Sequence, residues 1–345
     1  MSKHQIIVAK NHFMKTKIVY DIISGLNDIY FEQVWASAWS LKHHNPNAYV
    51  IVLTDKETND TILSESRKGS LAYIDEIQIV EFDQPYSNKE KSRWIKTNMR
   101  ELVHGDFLFI DADTIITGDL SEIDGMTCDI GAVLDYHCHT KEISKYPIFH
   151  DMYIAPLKNI FNVDYSDTTD VFNSGVLYVR DNQRTHDFYN TWHKNWKHSR
   201  ERGECRDQLS LTKTCQELGN PITEIPGAYN CQIRFSIQYL YEAKIIHTFA
   251  SQNNSRISDL FGTTIYKKIK DAGIINDEVA KTLLECKQSF NSPSILLDKR
   301  WILLSYTPSF ILLNQIVDST KAKDQRLFKF ITFVSRAIMF LRRTL

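Results

Sequence analysis

Two aspartates that follow an apolar run are the residues of this chain best placed to do chemistry. Phe107–Ile110 reads FLFI, which predicts a short buried strand of a parallel sheet. Asp111 and Asp113 follow at its carboxyl end, the edge of an open α/β sheet where ligands bind. One explanation is a shared Mg²⁺ or Mn²⁺ that also binds phosphate oxygens, and another is a covalent nucleophile beside its proton donor. A solvated acidic turn, with no chemistry, is the third.

The composition is that of a globular protein and argues against several other functions. The 345 residues suit one large or two modest domains, and a hydrophobic content of 43% is enough for a packed core. A net charge of −1 gives no reason to expect a nucleic-acid partner. The N-terminus has no apolar run of signal-peptide length, and the six cysteines include no C-x-x-C pair. We therefore expect a cytoplasmic protein with reduced cysteines, and no zinc site at His137-Cys138-His139.

Apolar patterns before Asp111 predict the elements that position it. Strands are expected at 16–23, 48–53 and 77–82, with a helix at 29–43 between the first two. A helix at 91–104 carries Arg93, Lys96 and Arg100 along one face and leads into the Asp111 strand. That basic face either holds a diphosphate or is simply solvated. The strand–helix–strand alternation indicates an α/β fold with a mostly parallel sheet.

After Asp113 the alternation continues and brings further polar residues to the ends of elements. Strands are expected at 129–134, 171–179 and 245–247, and helices at 185–197 and 204–218. Inside the strand at 171–179 lies the triplet Asn173-Ser174-Gly175, where a glycine marks close approach of the backbone to a ligand. Asn173 and Ser174 offer the neutral hydrogen-bonding groups that a hydroxyl-rich substrate needs.

Beyond residue 250 the alternation stops, which predicts a catalytic domain at 1–250 and a helical C-terminal extension at 251–326. Residues 327–345 resemble a basic amphipathic helix, since seven Lys or Arg against one Asp follow from Lys321 onward. Such a helix is typical of an anionic membrane interface. We expect peripheral attachment to the inner face of a membrane; a helix packed on the main domain is the alternative.

Two enzyme classes place D-x-D at the end of a buried strand. Asp111–Ile115 locally resembles the nucleophile motif of the haloacid-dehalogenase-like phosphatases, but no later strand ends in the second acidic pair that they need. The chain more extensively resembles the family 8-like GT-A glycosyltransferases. The shared segments are FLFIDADTIITGDLSEI, FNSGVLYV, DQLSL and a strand ending in histidine, in family order within residues 16–250.

The resemblance implies a GT-A fold, a nucleotide-sugar donor that is UDP-linked, and Mn²⁺ (or Mg²⁺) as cofactor. It implies that Asp111, Asp113 and His247 bind the metal, and that the two aspartates also contact the donor. The acceptor would be a saccharide or a lipid-linked saccharide, with retention of the anomeric configuration.

The resemblance also assigns further roles by position. Asn173, Ser174 and Gly175 would border the sugar pocket, and Arg93 or Lys96 would be the basic residue that reaches the donor. The catalytic pair near the reacting anomeric carbon would be Asp207 and Gln208.

One departure from the family pattern concerns the residues after His247. In the family, this histidine begins the pattern H-x-x-G-x-x-K-P-W. In this chain, Ala250 and Asn253 stand at the glycine and lysine positions. That lysine normally contacts the diphosphate, so another cation must serve. The departure leaves open a non-catalytic protein that binds a nucleotide-sugar or a membrane partner.

Overall fold

Seven strands form the central sheet of the computed structural model, which describes residues 14–144, 149–166, 168–235, 237–250 and 263–290. These strands are β1 (Lys17–Ile22), β2 (Val50–Thr54), β3 (Glu76–Ile79), β4 (Phe107–Ile110), β6 (Ile130–Leu134), β7 (Phe172–Val179) and β8 (Ile222–Glu224). Their spatial order is β3-β2-β1-β4-β7-β6-β8. All run parallel except β7, which is antiparallel to both β4 and β6. The predicted α/β fold with a mostly parallel sheet is confirmed.

The strand β4 is buried on both faces, which explains why its sequence is apolar without alternation. Leu108 and Ile110 belong to one apolar cluster, and Phe107 and Phe109 belong to a second cluster on the other side of the sheet. The chain therefore leaves the sheet at Asp111 between two packed layers, and the position of that residue is fixed by both.

Ten α-helices lie within the described part of the chain. They are α1 (Tyr30–His44), α2 (Lys56–Ile62), α3 (Asn88–Thr97), α4 (Met99–Leu102), α5 (Thr140–Ile143), α6 (Ala155–Phe161), α7 (Gln183–Glu201), α8 (Asp207–Glu217), α9 (Thr263–Ala272) and α10 (Asp277–Leu284). The start of α3 is fixed by a capping box, in which Ser87 and Glu90 each accept a hydrogen bond from the other's backbone N–H.

The predicted helix at 91–104 is wrong as a single helix. Asn98, with φ −106° and ψ 9°, separates α3 from α4, and its N–H bonds back to the carbonyls of the α3 end. Arg100 consequently leaves the face that Arg93 and Lys96 share. Its buried guanidinium donates to the carbonyls of Val103 and Gly105 instead.

A small second sheet carries the histidine of the last predicted strand. Its strands are β5 (Thr114–Ile116), β9 (Cys231–Gln232) and β10 (Ile245–His247), with β10 in the middle. The strand β10 was predicted with these bounds, whereas β5 was not predicted. Because β10 runs antiparallel to β5, His247 lies opposite Thr114, one residue beyond Asp113.

The segment between β6 and β7 forms a local unit of its own. Its base is closed by a backbone hydrogen bond of 2.8 Å from the Asp135 N–H to the Val171 carbonyl. Tyr136, Ile143 and Tyr153 belong to a third apolar cluster, separate from the two that cover the sheet. The cluster also includes Phe235 and Phe249, so the segment packs both on itself and against the residues that follow β9 and β10.

The helices α9 and α10 cover one side of the sheet through α1. Ile265, Ile269, Val279 and Leu283 are buried in the same apolar cluster as the α1 residues. The domain boundary at 250 stays a prediction, and the predicted membrane helix at 327–345 lies outside the described residues. Within the described residues, no helix has the length and apolar character needed to cross a bilayer.

Candidate active site

A cavity of about 750 Å³ opens where β1 and β4 end and β7 begins. It brings together all ten of the residues that the sequence singled out as metal-binding, donor-binding or catalytic. They are Arg93, Lys96, Asp111, Asp113, Asn173, Ser174, Gly175, Asp207, Gln208 and His247. Their roles remain predictions, but their proximity is a property of the fold, since they come from five separate parts of the chain.

Asp111, Asp113 and His247 form a cluster that could hold a metal ion. One potential ligand atom from each residue lies within 4.8 Å of the other two. The Nε2 atom of His247 is 3.3 Å from Asp113 Oδ1 and 4.0 Å from Asp111 Oδ2. The turn after β10 is held against this cluster, because the Thr248 N–H donates to the Asp113 carbonyl at 2.9 Å.

The imidazole of His247 is buried and held on two sides. Its Nδ1 is 3.1 Å from Asn230 Oδ1, and Phe249 stacks on the ring with centroids 3.9 Å apart and planes at 7°. Burial alone would lower the pKa of His247, but the carboxylates of Asp113 and Asp111 raise it overall. With Nδ1 engaged by Asn230, Nε2 remains to face the carboxylates. Two carboxylates and one such nitrogen fit a divalent cation.

Lys96 and Arg93 reach the same cavity from α3 and meet Asp207. Lys96, only 2% exposed, places Nζ 3.0 Å from Asp111 Oδ1 and 3.2 Å from Asp207 Oδ2. Arg93 Nε lies 2.9 Å from Asp207 Oδ1. Burial would raise the pKa of Asp207, but Lys96 and Arg93 hold it well below its usual range. Asp207 is therefore an ionised, fully compensated carboxylate.

The first two residues of α8 are also attached to β7. Ser174 Oγ donates to Asp207 Oδ2 at 2.7 Å, and the Ser174 N–H donates to Gln208 Oε1 at 3.2 Å. The amide nitrogen of Gln208 donates in turn to the Phe172 carbonyl. Both polar atoms of the Gln208 amide are thus bound to the β7 backbone, which fixes the side chain at the cavity wall.

At Gly175 the β7 backbone comes close to the candidate metal-binding cluster. The Asp111 N–H donates to the Gly175 carbonyl at 2.7 Å, which joins the end of β4 to β7. A Cβ at position 175 would lie 2.4 Å from His247 Cε1 and 2.7 Å from Asp111 Oδ2. The predicted close approach at this glycine is therefore a close approach to the predicted metal ligands.

Sequence reasoning missed Asp21, which lies at the end of β1 and lines the cavity. It accepts a hydrogen bond of 2.5 Å from Ser92 Oγ, and burial raises its pKa to about 6. The signal was available, because an aspartate near the end of an apolar strand follows the same pattern as Asp111. Asn230 and Phe249, which hold His247, gave no signal that could have identified them.

A family model described as nucleotide-diphospho-sugar transferase matches residues 44–260, more than half of the chain. The chain belongs to the nucleotide-diphospho-sugar transferase family. The matched range contains all ten of the predicted site residues. No curated protein matches the sequence.

Solved structures of three glycosyltransferases are similar to parts of this nucleotide-diphospho-sugar transferase family member. The apo structure of the bifunctional glycosyltransferase WbbM has a TM-score of 0.50 and 16% identity, over 80% of this chain and 53% of that chain. The glycosyltransferase GlyE of Streptococcus pneumoniae TIGR4 has a TM-score of 0.46 and 15% identity, over 80% of this chain and 64% of that chain. The galactosyltransferase LgtC, in complex with donor and acceptor sugar analogs, has a TM-score of 0.48 and 14% identity, over 77% of this chain and 100% of that chain. This chain thus spans less than two thirds of the length of WbbM and of GlyE.

Replacing Gly175 with alanine is expected to disrupt the candidate metal-binding cluster of this transferase family member. The new Cβ would push the His247 ring away from Asp111, so we expect Mn²⁺ affinity to fall by roughly 10- to 100-fold. Mn²⁺ titration, with thermal unfolding to check the fold, measures this. Gly125→Ala is the matched control, because a Cβ there meets nothing within 4 Å. Wild-type Mn²⁺ affinity in a folded Gly175→Ala variant would contradict the described geometry.

Asp21 is expected to make stability depend on pH. The pKa of Asp21 in the folded protein, about 6, exceeds the reference value of 3.8. The contribution of this carboxyl group to the free energy of unfolding is therefore fully present below pH 3.8 and is lost as the pH rises through about 6. At about pH 8 the buried carboxylate costs on the order of 3 kcal/mol, which Asp21→Asn should recover. Urea unfolding at about pH 4 and about pH 8 measures this, and the variant should exceed wild type only at the higher pH.

The opposite pH dependence is expected for Asp55, whose pKa is lowered. Burial would raise that pKa, but the hydrogen bonds from Lys91 and Thr58 outweigh it. Asp55→Asn should therefore lose stability relative to wild type at the higher pH. A shift of the same sign in both variants would contradict the assignment for Asp21.

Proposed function

We propose that the protein is a metal-dependent glycosyltransferase that moves a sugar from a UDP-linked donor to a saccharide or lipid-linked saccharide acceptor. The observation that carries the proposal is the cluster of Asp111, Asp113 and His247 within one cavity with Asp207 and Gln208. Membership in the nucleotide-diphospho-sugar transferase family supports the class of donor.

Asp111, Asp113 and His247 Nε2 would hold Mn²⁺ or Mg²⁺. A divalent cation bound there neutralises charge on the diphosphate leaving group and acts as a Lewis acid. Lys96 adds a further positive charge beside the proposed metal ligands, since its ammonium lies 3.0 Å from Asp111 Oδ1. We propose that Lys96 and Arg93 replace the family lysine whose position Asn253 occupies, because both are cations already directed into the cavity.

The wall formed by β7 and the start of α8 suits a sugar. Asn173, Ser174 and Gln208 present neutral polar groups that are fixed by hydrogen bonds to one another or to the backbone. Because these groups are already ordered, a hydroxyl-rich ligand would not have to order them on binding. Asp207, with its charge balanced by Lys96 and Arg93, would lie beside the reacting sugar.

Retention of the anomeric configuration is the proposed stereochemical outcome. The carboxylates among the described cavity residues are Asp21, Asp111, Asp113 and Asp207. Asp207 is a weak nucleophile because two cations stabilise its ionised form, and the Gln208 amide is weaker still. A front-face transfer fits these groups. The bond from the anomeric carbon to the leaving phosphate breaks, the bond to the acceptor oxygen forms, and the acceptor proton passes to that phosphate.

UDP release from a panel of UDP-sugars with Mn²⁺ tests the proposal. We expect turnover of one sugar, lost in Asp111→Ala and in Asp113→Ala, because each removes a carboxylate of the metal-binding cluster. Asp119→Ala is the control, since that exposed carboxylate contacts Ser121 in the turn after β5 and does not line the cavity.

The other outcomes discriminate between the alternatives. Binding of UDP-sugar without turnover would favour the non-catalytic protein, for which the substituted lysine position is the support. Phosphate release from simple esters under the same conditions would favour the phosphatase. Equal turnover in wild type and both aspartate variants would contradict a metal-dependent mechanism at this cluster.

We further propose that residues 327–345 attach the protein to the inner face of an anionic membrane, which would bring it to a lipid-linked acceptor. The support is the basic, amphipathic sequence of that segment alone. Deleting 327–345 should abolish cosedimentation with vesicles that contain anionic phospholipid. Vesicles of zwitterionic lipid are the control, and unchanged binding of the truncated protein to anionic vesicles would contradict the proposal.

A further inference from the structure

One face of α1 is polar although the helix is buried. Gln33, Ser37 and Ser40 are spaced at i, i+4 and i+7, which places them on the same face of a helix. All three side chains are buried, and so is Asn45, directly after the last residue of α1. Buried polar groups are costly unless they are hydrogen-bonded. The partners of these four residues, which we call the polar face of α1, therefore indicate its role.

Ser37 and Ser40 bind the segment that carries the two aspartates of the candidate metal-binding cluster. Ser37 Oγ lies 2.8 Å from Thr114 Oγ1, and Thr114 Oγ1 donates to the Asp111 carbonyl at 2.9 Å. Two residues further along β5, the Ile116 N–H donates to Ser40 Oγ at 2.9 Å. The polar face of α1 thus holds the chain at the turn of the two aspartates and at the strand that follows it.

Gln33, one helical turn before Ser37, binds the segment that carries the histidine of the cluster. Its Nε2 donates to the carbonyl of Ala250, three residues after His247, at 2.8 Å. The two chain segments that supply the cluster are far apart in sequence, yet they are bound by adjacent turns of one helix. The polar face of α1 is therefore a common support for both.

The small sheet that joins these two segments needs support from outside, because its strands are short. The strands β5, β9 and β10 have three, two and three residues, and so small a sheet is not stable without packing against other elements. Its edge strand β5 pairs with β10 alone, and Ser40 accepts the Ile116 N–H in place of a further strand. Beyond β5, Asn45 accepts from the Leu120 N–H at 2.7 Å and donates to the Gly118 carbonyl at 3.1 Å.

We propose that Gln33 and Ser40 are positioning residues that hold the turn of Asp111 and Asp113 at a fixed distance from His247, and so raise the affinity of the cluster for a divalent cation. A metal site binds tightly only when its ligands are held close to the productive geometry. This inference rests on the proposed function for the identity of the ligand, but the support that α1 gives to the two segments does not require a metal.

Ser40→Ala and Gln33→Met each remove one of the two supports and leave every proposed metal ligand in place. Ser40→Ala takes the acceptor from the Ile116 N–H, and Gln33→Met takes the donor from the Ala250 carbonyl. Each change loosens one segment of the cluster against the other, so we expect Mn²⁺ affinity to fall by roughly 3- to 10-fold in either variant. Mn²⁺ titration measures the affinity, and thermal unfolding checks the fold.

Ser199→Ala is the matched control. Ser199 is also a buried helix serine, and its Oγ donates to the Glu204 carbonyl at 2.9 Å, at a place that does not line the cavity. The control should lower the unfolding temperature, as Ser40→Ala does, but keep the wild-type Mn²⁺ affinity. If the polar face of α1 served stability alone, Ser40→Ala and Gln33→Met would behave like this control.

Amide hydrogen exchange of the metal-free protein gives a second readout. Exchange at Ile116 should be faster in Ser40→Ala than in wild type, because that N–H has lost its acceptor. Exchange at Thr248, whose N–H is bonded to the Asp113 carbonyl, should be faster in Gln33→Met, because the turn after His247 is then less firmly held. Neither rate should change in Ser199→Ala.

The outcomes separate the positioning role from the proposed function. Wild-type Mn²⁺ affinity in both folded variants would overturn the proposal, and wild-type affinity in only one of them would overturn the role of that residue. If wild type binds no Mn²⁺ with or without UDP, the metal-dependent function fails. The exchange rates then still decide whether α1 supports the two segments, because unchanged rates at Ile116 and Thr248 would overturn that support.

Discussion

The ammonium of Lys96, buried between Asp111 and Asp207, is the interaction on which the rest of the cavity depends. Burying a carboxylate without a partner costs several kcal/mol, so a cation among them lowers the cost of bringing ionised aspartates from different elements into one cavity. Lys96 provides that cation from the last turn of α3. The capping box that begins α3 and the break at Asn98 that ends it keep this lysine, and not Arg100, directed at the carboxylates.

The order of the strands and helices could be predicted because buried parallel strands and amphipathic helices leave different apolar periods in the sequence. The reversal of β7 could not. Phe172–Val179 is buried on both faces, so its pattern is the same in either direction. The break at Asn98 was equally hidden, because one non-helical residue hardly disturbs a helical period. The three residues of β5 are too few to show a period at all.

The site was predictable where a polar residue or a glycine interrupts or ends an apolar strand, as at Asp111, Gly175 and His247. Asp21 satisfies the same rule, so the sequence alone contains enough information to identify it. Asn230 is different. Its importance comes from contacts with Asn173 and His247, 57 and 17 residues away along the chain, and nothing in its local sequence indicates them. Hydrogen-bonded networks of this kind are created by the fold and become visible only with it.

The segment between β6 and β7 has a consequence for how this fold can diversify. It leaves and re-enters the sheet at one point, where Asp135 and Val171 are hydrogen-bonded, and its buried apolar residues share a cluster with Phe235 and Phe249. Changes in its length or sequence therefore cost the sheet little. The segment begins beside the cavity, with Asp135 bonded to Asn173 of the cavity wall. The segment can thus vary away from Asp135 while the strands that hold Asp111, Asn173 and His247 keep their places.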